Sequence, residues 1–285
     1  MTMPDTTFKA ACVQLDVGPD IDDNLQISTH LIREAAAEGA RFIATPENTC
    51  FIEADTKRKL ETARNAMPHP VLRQYALMAE ELEIWILVGS VKIPVDGEDR
   101  LFNRSHLFGP DGFLVATYDK IHLYDVDLPS GEVQRESHEF KPGERAVIVD
   151  MDDLGTKLGM TICYDVRFAH LYRDMARKGA GIFTVPSAFT VPTGQAHWEV
   201  MLRARAIECG AFVIAPAQGG SHQGARQTYG HSMIIDPWGR ILAHKDDDTP
   251  GFITAEIDLE QVAVARNAIQ QLSHDVDYIV ADALS

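Results

Sequence analysis

The chain has 285 residues, of which 45% are hydrophobic and 24% are charged, as in ordinary globular proteins. Its 26 Lys and Arg residues against 42 Asp and Glu residues give a formal net charge of −16, which argues against nucleic acid or an anionic membrane as a partner. Four dispersed cysteines without a CxxC pair predict neither a disulfide framework nor a metal site. Without an apolar leader in residues 1–7 or a long apolar run, we expect a cytoplasmic protein.

Short apolar runs alternate with amphipathic segments in the first half of the chain. They predict strand, helix, strand, helix and strand at 9–15, 24–38, 41–46, 71–82 and 84–92. Two more strands, 105–108 and 113–118, flank a turn-forming segment at 109–112 and predict a hairpin. The polar stretch 124–144 follows and is interpreted as a long surface loop, a kind of segment that tends to be functional.

The second half repeats this alternation. It predicts strands and helices at 147–151, 158–163, 169–178, 182–185, 195–209 and 211–216, followed by a hairpin at 231–244 and a strand at 252–257. No low-complexity linker separates the halves. We therefore predict a single α/β domain over 1–285, a four-layer sandwich built from two similar halves, with a core at about 8–258 and a tail at about 270–285.

Cys163 ends an apolar run just before the predicted helix 169–178. This position corresponds to the carboxyl end of a strand, where open α/β folds collect their active sites. A nearby helix N-terminus would favour a thiolate and stabilise an oxyanion, so Cys163 is a candidate nucleophile. The alternative is a small buried core thiol, because free cysteine is among the most buried residue types.

Two other chemically useful residues follow predicted strands. Glu47 comes after the strand 41–46, and Lys120 follows the second strand of the first hairpin. Considered alone, Glu47 would be interpreted as a solvent-exposed acid, and Lys120 as a lysine whose apolar stem is buried while its ammonium reaches solvent. Together with Cys163 they suffice for hydrolysis of a C–N bond through a thioester: Glu47 as general base, and Lys120 with the Tyr164 N–H as oxyanion stabilisers. A papain-like Cys/His pair is the competing arrangement, with candidates at His122, His197 and His231, although no motif links them to the cysteine.

Three segments carry a family resemblance: Pro46-Glu47, 118–123 and 159–168, in that order. They resemble the nitrilase, or carbon-nitrogen hydrolase, superfamily, and the similarity extends over about 10–258. The resemblance implies an α-β-β-α sandwich, a Glu47-Lys120-Cys163 triad, no metal or organic cofactor, and a homodimer or higher homo-oligomer. Further similar segments, at 122–127, 134–137, 186–189, 193–199 and 229–239, point to the Nit branch, which contains ω-amidases and deaminated glutathione amidases.

Within that branch, the stretch 202–208 favours the deaminated glutathione amidases. The resemblance then implies hydrolysis of N-(4-oxoglutaryl)-Cys-Gly to 2-oxoglutarate and Cys-Gly. The alternatives are an ω-amidase acting on 2-oxoglutaramate, an N-carbamoyl amino acid amidohydrolase, and, in another class, a metabolite-binding protein without turnover. The glycine-rich loop 218–226 and the acidic, apolar tail depart from the family pattern, which leaves substrate fit and assembly open.

The resemblance also implies roles for residues outside the triad. Glu136 matches a second family glutamate that positions Lys120 or the substrate, with a surface acid as the alternative. Arg167 would pair with a substrate carboxylate through its planar guanidinium or else anchor the start of a helix. Phe189 and Thr193 would line the acyl pocket, although packing is an equal alternative for Phe189.

Overall fold

A computed structural model of the chain describes residues 6–129, 131, 133–222 and 226–281. Part of the glycine-rich loop, 223–225, and the end of the tail, 282–285, lie outside these residues. The helices are α1 (Ile21–Ala37), α2 (Thr56–Asn65), α3 (Pro70–Leu82), α4 (Ala169–Arg177), α5 (Val191–Cys209) and α6 (Glu260–Ala268). The strands are β1 (Thr7–Gln14), β2 (Ala40–Ala44), β3 (Trp85–Pro94), β4 (Leu101–Phe108), β5 (Leu114–Asp119), β6 (Asp125–Asp127), β7 (Val133–Arg135), β8 (Val147–Met151), β9 (Thr156–Met160), β10 (Ala180–Thr184), β11 (Phe212–Ala215), β12 (Gly219–Ser221), β13 (Gln227–Tyr229), β14 (Met233–Ile235), β15 (Ile241–His244) and β16 (Gly251–Asp258).

Most of the strands form two six-stranded sheets. The first has the order β16-β1-β2-β3-β4-β5, and the second has the order β15-β14-β11-β10-β9-β8. Three adjacent parallel strands form the middle of each sheet, namely β1 to β3 in the first and β9 to β11 in the second. The two halves are therefore similar, although the last strand, β16, returns to pair with β1 in the first sheet.

The sheets pack face to face, and helices cover their outer faces. Strand β1 illustrates this packing, because the side chains of successive residues in a strand point to opposite faces of the sheet. Ala10 and Cys12 belong to the core cluster that joins the inner faces of both sheets, whereas Ala11 and Val13 belong to the cluster beneath α1 and α3. Burial on both faces explains why the strand is a continuous apolar run. The predicted four-layer α-β-β-α sandwich is confirmed.

Some predicted elements need correction. Helices α2 and α6 were missed because each buries a single residue, Ala63 and Ala265 respectively, and so lacks an apolar stripe. The stretch 124–144 is not a loop throughout, because it contains the β6-β7 hairpin and a 3₁₀ turn at Glu136–His138. The predicted strand 158–163 ends at Met160. Among the described residues, no helix is long and apolar enough to span a membrane.

Candidate active site

Glu47, Lys120 and Cys163 lie at the ends of strands from both sheets. Glu47 follows β2 and Lys120 follows β5 in the first sheet, whereas Cys163 follows β9 in the second. The side chains are 2%, 2% and 7% exposed, yet all three line one cavity of about 580 Å³. A volume of this size is typical of a small-molecule site. The three residues that sequence reasoning selected therefore meet in one place.

Lys120 lies between two carboxylates. Its Nζ is 2.9 Å from Glu47 Oε1 and 3.0 and 2.9 Å from the two oxygens of Glu136. Asn103, on β4, donates to the same two carboxylates, at 2.9 Å to Glu47 and 3.2 Å to Glu136. The backbone N–H of Tyr124 donates to Glu136 at 2.6 Å. Glu136 is therefore part of a buried charge network and not a solvated loop acid.

Lys120 and Glu47 stabilise each other in their charged forms. Burial alone would lower the pKa of Lys120, but the carboxylates of Glu136 and Glu47 outweigh it and raise that pKa well above its ordinary value. Burial alone would raise the pKa of Glu47, but the charge and hydrogen bond of Lys120 lower it below its ordinary value. Near neutral pH the site thus contains an ammonium between two carboxylates.

Cys163 is a neutral thiol in this setting. Burial raises its pKa first and the Glu47 carboxylate raises it further, while Lys120 offsets only part of the effect. Thiol and carboxylate shift each other's pKa, although Glu47 Oε2 makes no hydrogen bond within the described parts of the chain. The expectation that a helix N-terminus would favour a thiolate is wrong, because Cys163 begins a short 3₁₀ turn, Cys163–Arg167, and α4 starts only at Ala169.

The backbone presents Cys163 in an uncommon conformation. Its φ is 49°, in the left-handed region that residues with a Cβ rarely adopt. The Cys163 N–H donates to the carbonyl of Pro186 at 2.9 Å, which ties the turn to the segment after β10. Such a sharp turn between a strand and the next helix presents the side chain to the cavity.

Asp165 holds the same turn from beneath. It is fully buried and accepts hydrogen bonds from the hydroxyl of Tyr118 at 2.7 Å and the N–H of Ile162 at 2.9 Å. The N–H of His122 donates to it at 3.0 Å, and the His122 ring lies 2.7 Å from the same oxygen. His122 is therefore committed to Asp165, and its ring stacks on Phe168 at 3.5 Å.

The other histidines considered as partners of the cysteine also lie elsewhere. The ring of His197 contacts the guanidinium of Arg167 at 3.3 Å, and that of His231 stacks on Tyr229 at 3.9 Å. Neither lines the cavity, nor does His122. The papain-like Cys/His alternative has no support in this geometry.

Close packing fixes the backbone around Glu47. A Cβ on Gly89 would lie 2.0 Å from the carbonyl oxygen of Thr45 and 2.4 Å from that of Pro46, so only glycine allows these segments to approach. The side-chain amide of Gln218 donates to the carbonyl of Glu47 at 3.0 Å. The first sheet and the segment after β11 thus hold the backbone at Glu47 from two directions.

The remaining predicted residues form the wall beside the nucleophile. Tyr164, Arg167, Phe189 and Thr193 all line the cavity. The Arg167 guanidinium lies over the rings of Tyr164 and Phe189, 5.7 and 5.6 Å from their centroids, and forms no ion pair with a carboxylate of the described residues. Phe189 also packs on Trp198, with the ring centroids 5.0 Å apart, so it has a packing role, and its part in an acyl pocket stays a prediction. The wall combines apolar rings with one cation available to an anionic group.

Sequence reasoning missed other residues of the site, including Asn103, Gly89, Asp165 and Lys92. Asn103 carried a detectable signal, since Leu101, Asn103 and Ser105 share the buried face of β4 and a polar residue in that register needs a partner. Gly89 and Lys92 depend on contacts between distant segments. Within the described ranges, no cluster of three or more potential ligands could hold a metal.

The carbon-nitrogen hydrolase family model matches residues 9–267, and the chain therefore belongs to this family of amide-hydrolysing enzymes. A deaminated glutathione amidase from Synechocystis sp. is 41% identical over 94% of this chain and 98% of its own length. The human omega-amidase NIT2 is 33% identical over 93% of both chains. The crystal structure of the C. elegans NitFhit protein superposes with a TM-score of 0.89 at 33% identity and covers 96% of this chain and 66% of that one.

Proposed function

We propose that Cys163, Glu47 and Lys120 form the catalytic triad of this amidase. Glu47 takes the thiol proton as Cys163 attacks the amide carbon, so the negative charge moves from carboxylate to sulfur and then to the carbonyl oxygen. The net charge of the buried site does not change during this transfer. The observation that carries the proposal is the contact of the Glu47 carboxylate with Lys120 on one side and its mutual pKa shift with the Cys163 thiol on the other.

The later steps use the same groups. Lys120 and the N–H of Tyr164 stabilise the oxyanion of the tetrahedral intermediate. The protonated Glu47 donates its proton to the departing amine, which leaves the acyl group on Cys163 as a thioester. Glu47 then removes a proton from water, and attack of that water on the thioester releases the acid. Glu136 and Asn103 keep Lys120 and Glu47 in position throughout.

The proposed substrate is deaminated glutathione, N-(4-oxoglutaryl)-Cys-Gly, which would give 2-oxoglutarate and Cys-Gly. The names of the Synechocystis relative and of a human relative, 37% identical over 93% of this chain, support this choice. The position of Arg167 also supports it, since a guanidinium without a carboxylate partner suits the 2-oxo acid end of the acyl group. The human omega-amidase NIT2 makes 2-oxoglutaramate the second candidate.

Release of 2-oxoglutarate tests both candidates with one readout, since each substrate yields it. We expect kcat/KM for deaminated glutathione to exceed that for 2-oxoglutaramate. The opposite preference would assign the protein as an ω-amidase with the same triad. Cys163→Ala removes only a small side chain and should abolish turnover while the protein stays folded; activity in this variant, with its fold verified by circular dichroism, would refute the mechanism.

We also propose a homodimer in the cytoplasm. Exposed apolar side chains on and near α5 support an assembly surface: Val200, Ile207 and Trp238 are 69%, 45% and 50% exposed. Cys12, Cys50, Cys163 and Cys209 are all free thiols, in accord with a reducing compartment. Analytical ultracentrifugation would test the oligomeric state.

A further inference from the structure

Besides Lys120 and Arg167, the cationic side chains that line the cavity are Lys59, Lys92, Arg135 and Arg226. Lys59 forms an ion pair with Glu139, and Arg135 forms one with Asp127, so their charges are already balanced. Neither Lys92 nor Arg226 forms an ion pair with a carboxylate of the described residues. In a chain with a net charge of −16, two such cations at one cavity wall need an explanation.

Of these two cations, Lys92 is the stronger evidence for a site that binds an anion, because it is only 3% exposed. Its Nζ donates to Asn48 Oδ1 and to the carbonyl of Phe51, both at 2.6 Å, and lies 4.2 Å from the centre of the Phe51 ring, so its polar partners are neutral oxygens. Burial lowers its pKa to about 8; Cys50 and Glu47 oppose this shift, whereas the charges of Lys59 and Arg226 add to it. A buried ammonium without a counter-ion is costly, and an anion bound in the cavity would offset that cost.

The position of these cations relative to the triad indicates which part of a substrate they meet. Asn48 and Phe51, the partners of Lys92, lie one and four residues after Glu47 in the chain, and the charge of Arg226 lowers the pKa of Glu47. Arg167 belongs instead to the turn of Cys163, which follows β9 of the second sheet, whereas Glu47 and Lys92 belong to the first sheet and its connections. In amide hydrolysis the general base protonates the departing amine, so the amine must lie on the side of Glu47.

We propose that Lys92 and Arg226 bind a carboxylate on the leaving amine, and that the enzyme therefore selects amides with an anion at both ends. This inference rests on the proposed function and specifies its substrate class: a 2-oxo acid at Arg167 and an amino acid or peptide carboxylate at Lys92 and Arg226. In a Cys-Gly leaving group, the carboxylate lies about two extended residues, or ~7 Å, from the scissile nitrogen. Of the acidic wall residues, Glu139 pairs with Lys59 and Glu136 with Lys120, while Glu53 accepts from the N–H of Asp55.

The test compares deaminated glutathione with its analogue whose glycine carboxylate is a carboxamide. Both release 2-oxoglutarate from the same scissile bond, so only the distant charge differs. We expect the native enzyme to prefer the acid by about 10- to 100-fold in kcat/KM, the range for a lost hydrogen bond to a charged group. Arg226→Gln and Lys92→Met should each reduce this preference, mainly through KM for the acid.

Two matched variants separate this role from general damage. Arg167→Gln should weaken both substrates alike, because both share the acyl part, and Lys57→Gln, 87% exposed on α2, should keep the native preference. Equal hydrolysis of acid and amide by the native enzyme would overturn the inference but leave the proposed function intact, as would a preference that survives Arg226→Gln. A native enzyme inactive on both would refute the proposed function and this inference with it. If Lys92→Met does not fold, the half-buried Arg226 provides the decisive variant.

Discussion

Gly89→Ala should impair catalysis without touching a reacting group. The added Cβ would lie 2.0 Å from the carbonyl oxygen of Thr45, whereas real Cβ atoms essentially never approach below 3.0 Å. The segments must therefore separate by about 1 Å, and Glu47 comes two residues after Thr45. A displacement of this size near a reacting group costs about 100-fold in rate, and forced overpacking costs about 1–3 kcal/mol of stability.

The assay is kcat for 2-oxoglutarate release, combined with urea unfolding of the same protein. Gly18→Ala is the matched control, because a Cβ at Gly18 has no neighbour within 4 Å and the position has an ordinary φ. A milder perturbation of the same backbone is Ser90→Ala, which removes the acceptor of the Asn48 N–H. A Gly89→Ala protein that keeps kcat within about twofold of the native value would show that this contact does not position the base, and our reasoning would fail.

Three further predictions concern the charge network around Lys120 and the turn of Cys163. Glu136→Gln removes one of the two carboxylates that raise the pKa of Lys120, so we expect kcat to fall by roughly 10- to 100-fold with a smaller change in KM; steady-state kinetics checks this. Asp165→Asn leaves buried donors around the turn without an acceptor and should cost about 2 kcal/mol of unfolding free energy, measured in urea. Because Lys120 holds the pKa of Glu47 below its ordinary value of 4.5, the base form persists above that pH. A profile of kcat/KM should stay flat from neutral pH down to about 5 and fall only below 4.5, and an acid limb centred near pH 6 would contradict it.

Local sequence patterns were sufficient to locate the three proposed catalytic residues along the chain but not to show that they meet. Glu47, Lys120 and Cys163 each stand where an apolar run stops, and such positions are visible without a structure. Their meeting depends on the face-to-face packing of two sheets, and here the family resemblance supplied what periodicity could not. Strand interiors were predicted well for the same reason that the sheets are stable: both faces are buried, so the runs are continuous.

Polar residues whose role depends on distant partners escaped prediction. Lys92 lies in a buried strand. That its ammonium has only neutral hydrogen-bond partners, Asn48 and Phe51, and is influenced by Arg226 is known only from the folded structure. The sequence also predicted a stabilised thiolate at Cys163, whereas the pKa of this thiol is raised. Burial and the nearby charge of Glu47 cause the shift, and both depend on the folded surroundings. Elements that bury almost nothing, such as α2, leave too little periodicity to detect.

The protonated state of Cys163 has a consequence for the durability of the protein. Peroxide and alkylating reagents attack thiolates far faster than thiols. Burial and, after it, the Glu47 carboxylate raise the pKa of Cys163 and so protect the sulfur from such damage. In the proposed mechanism the sulfur becomes reactive only as its proton moves to Glu47 during attack on an amide, so the carboxylate that activates the sulfur also protects it between turnovers.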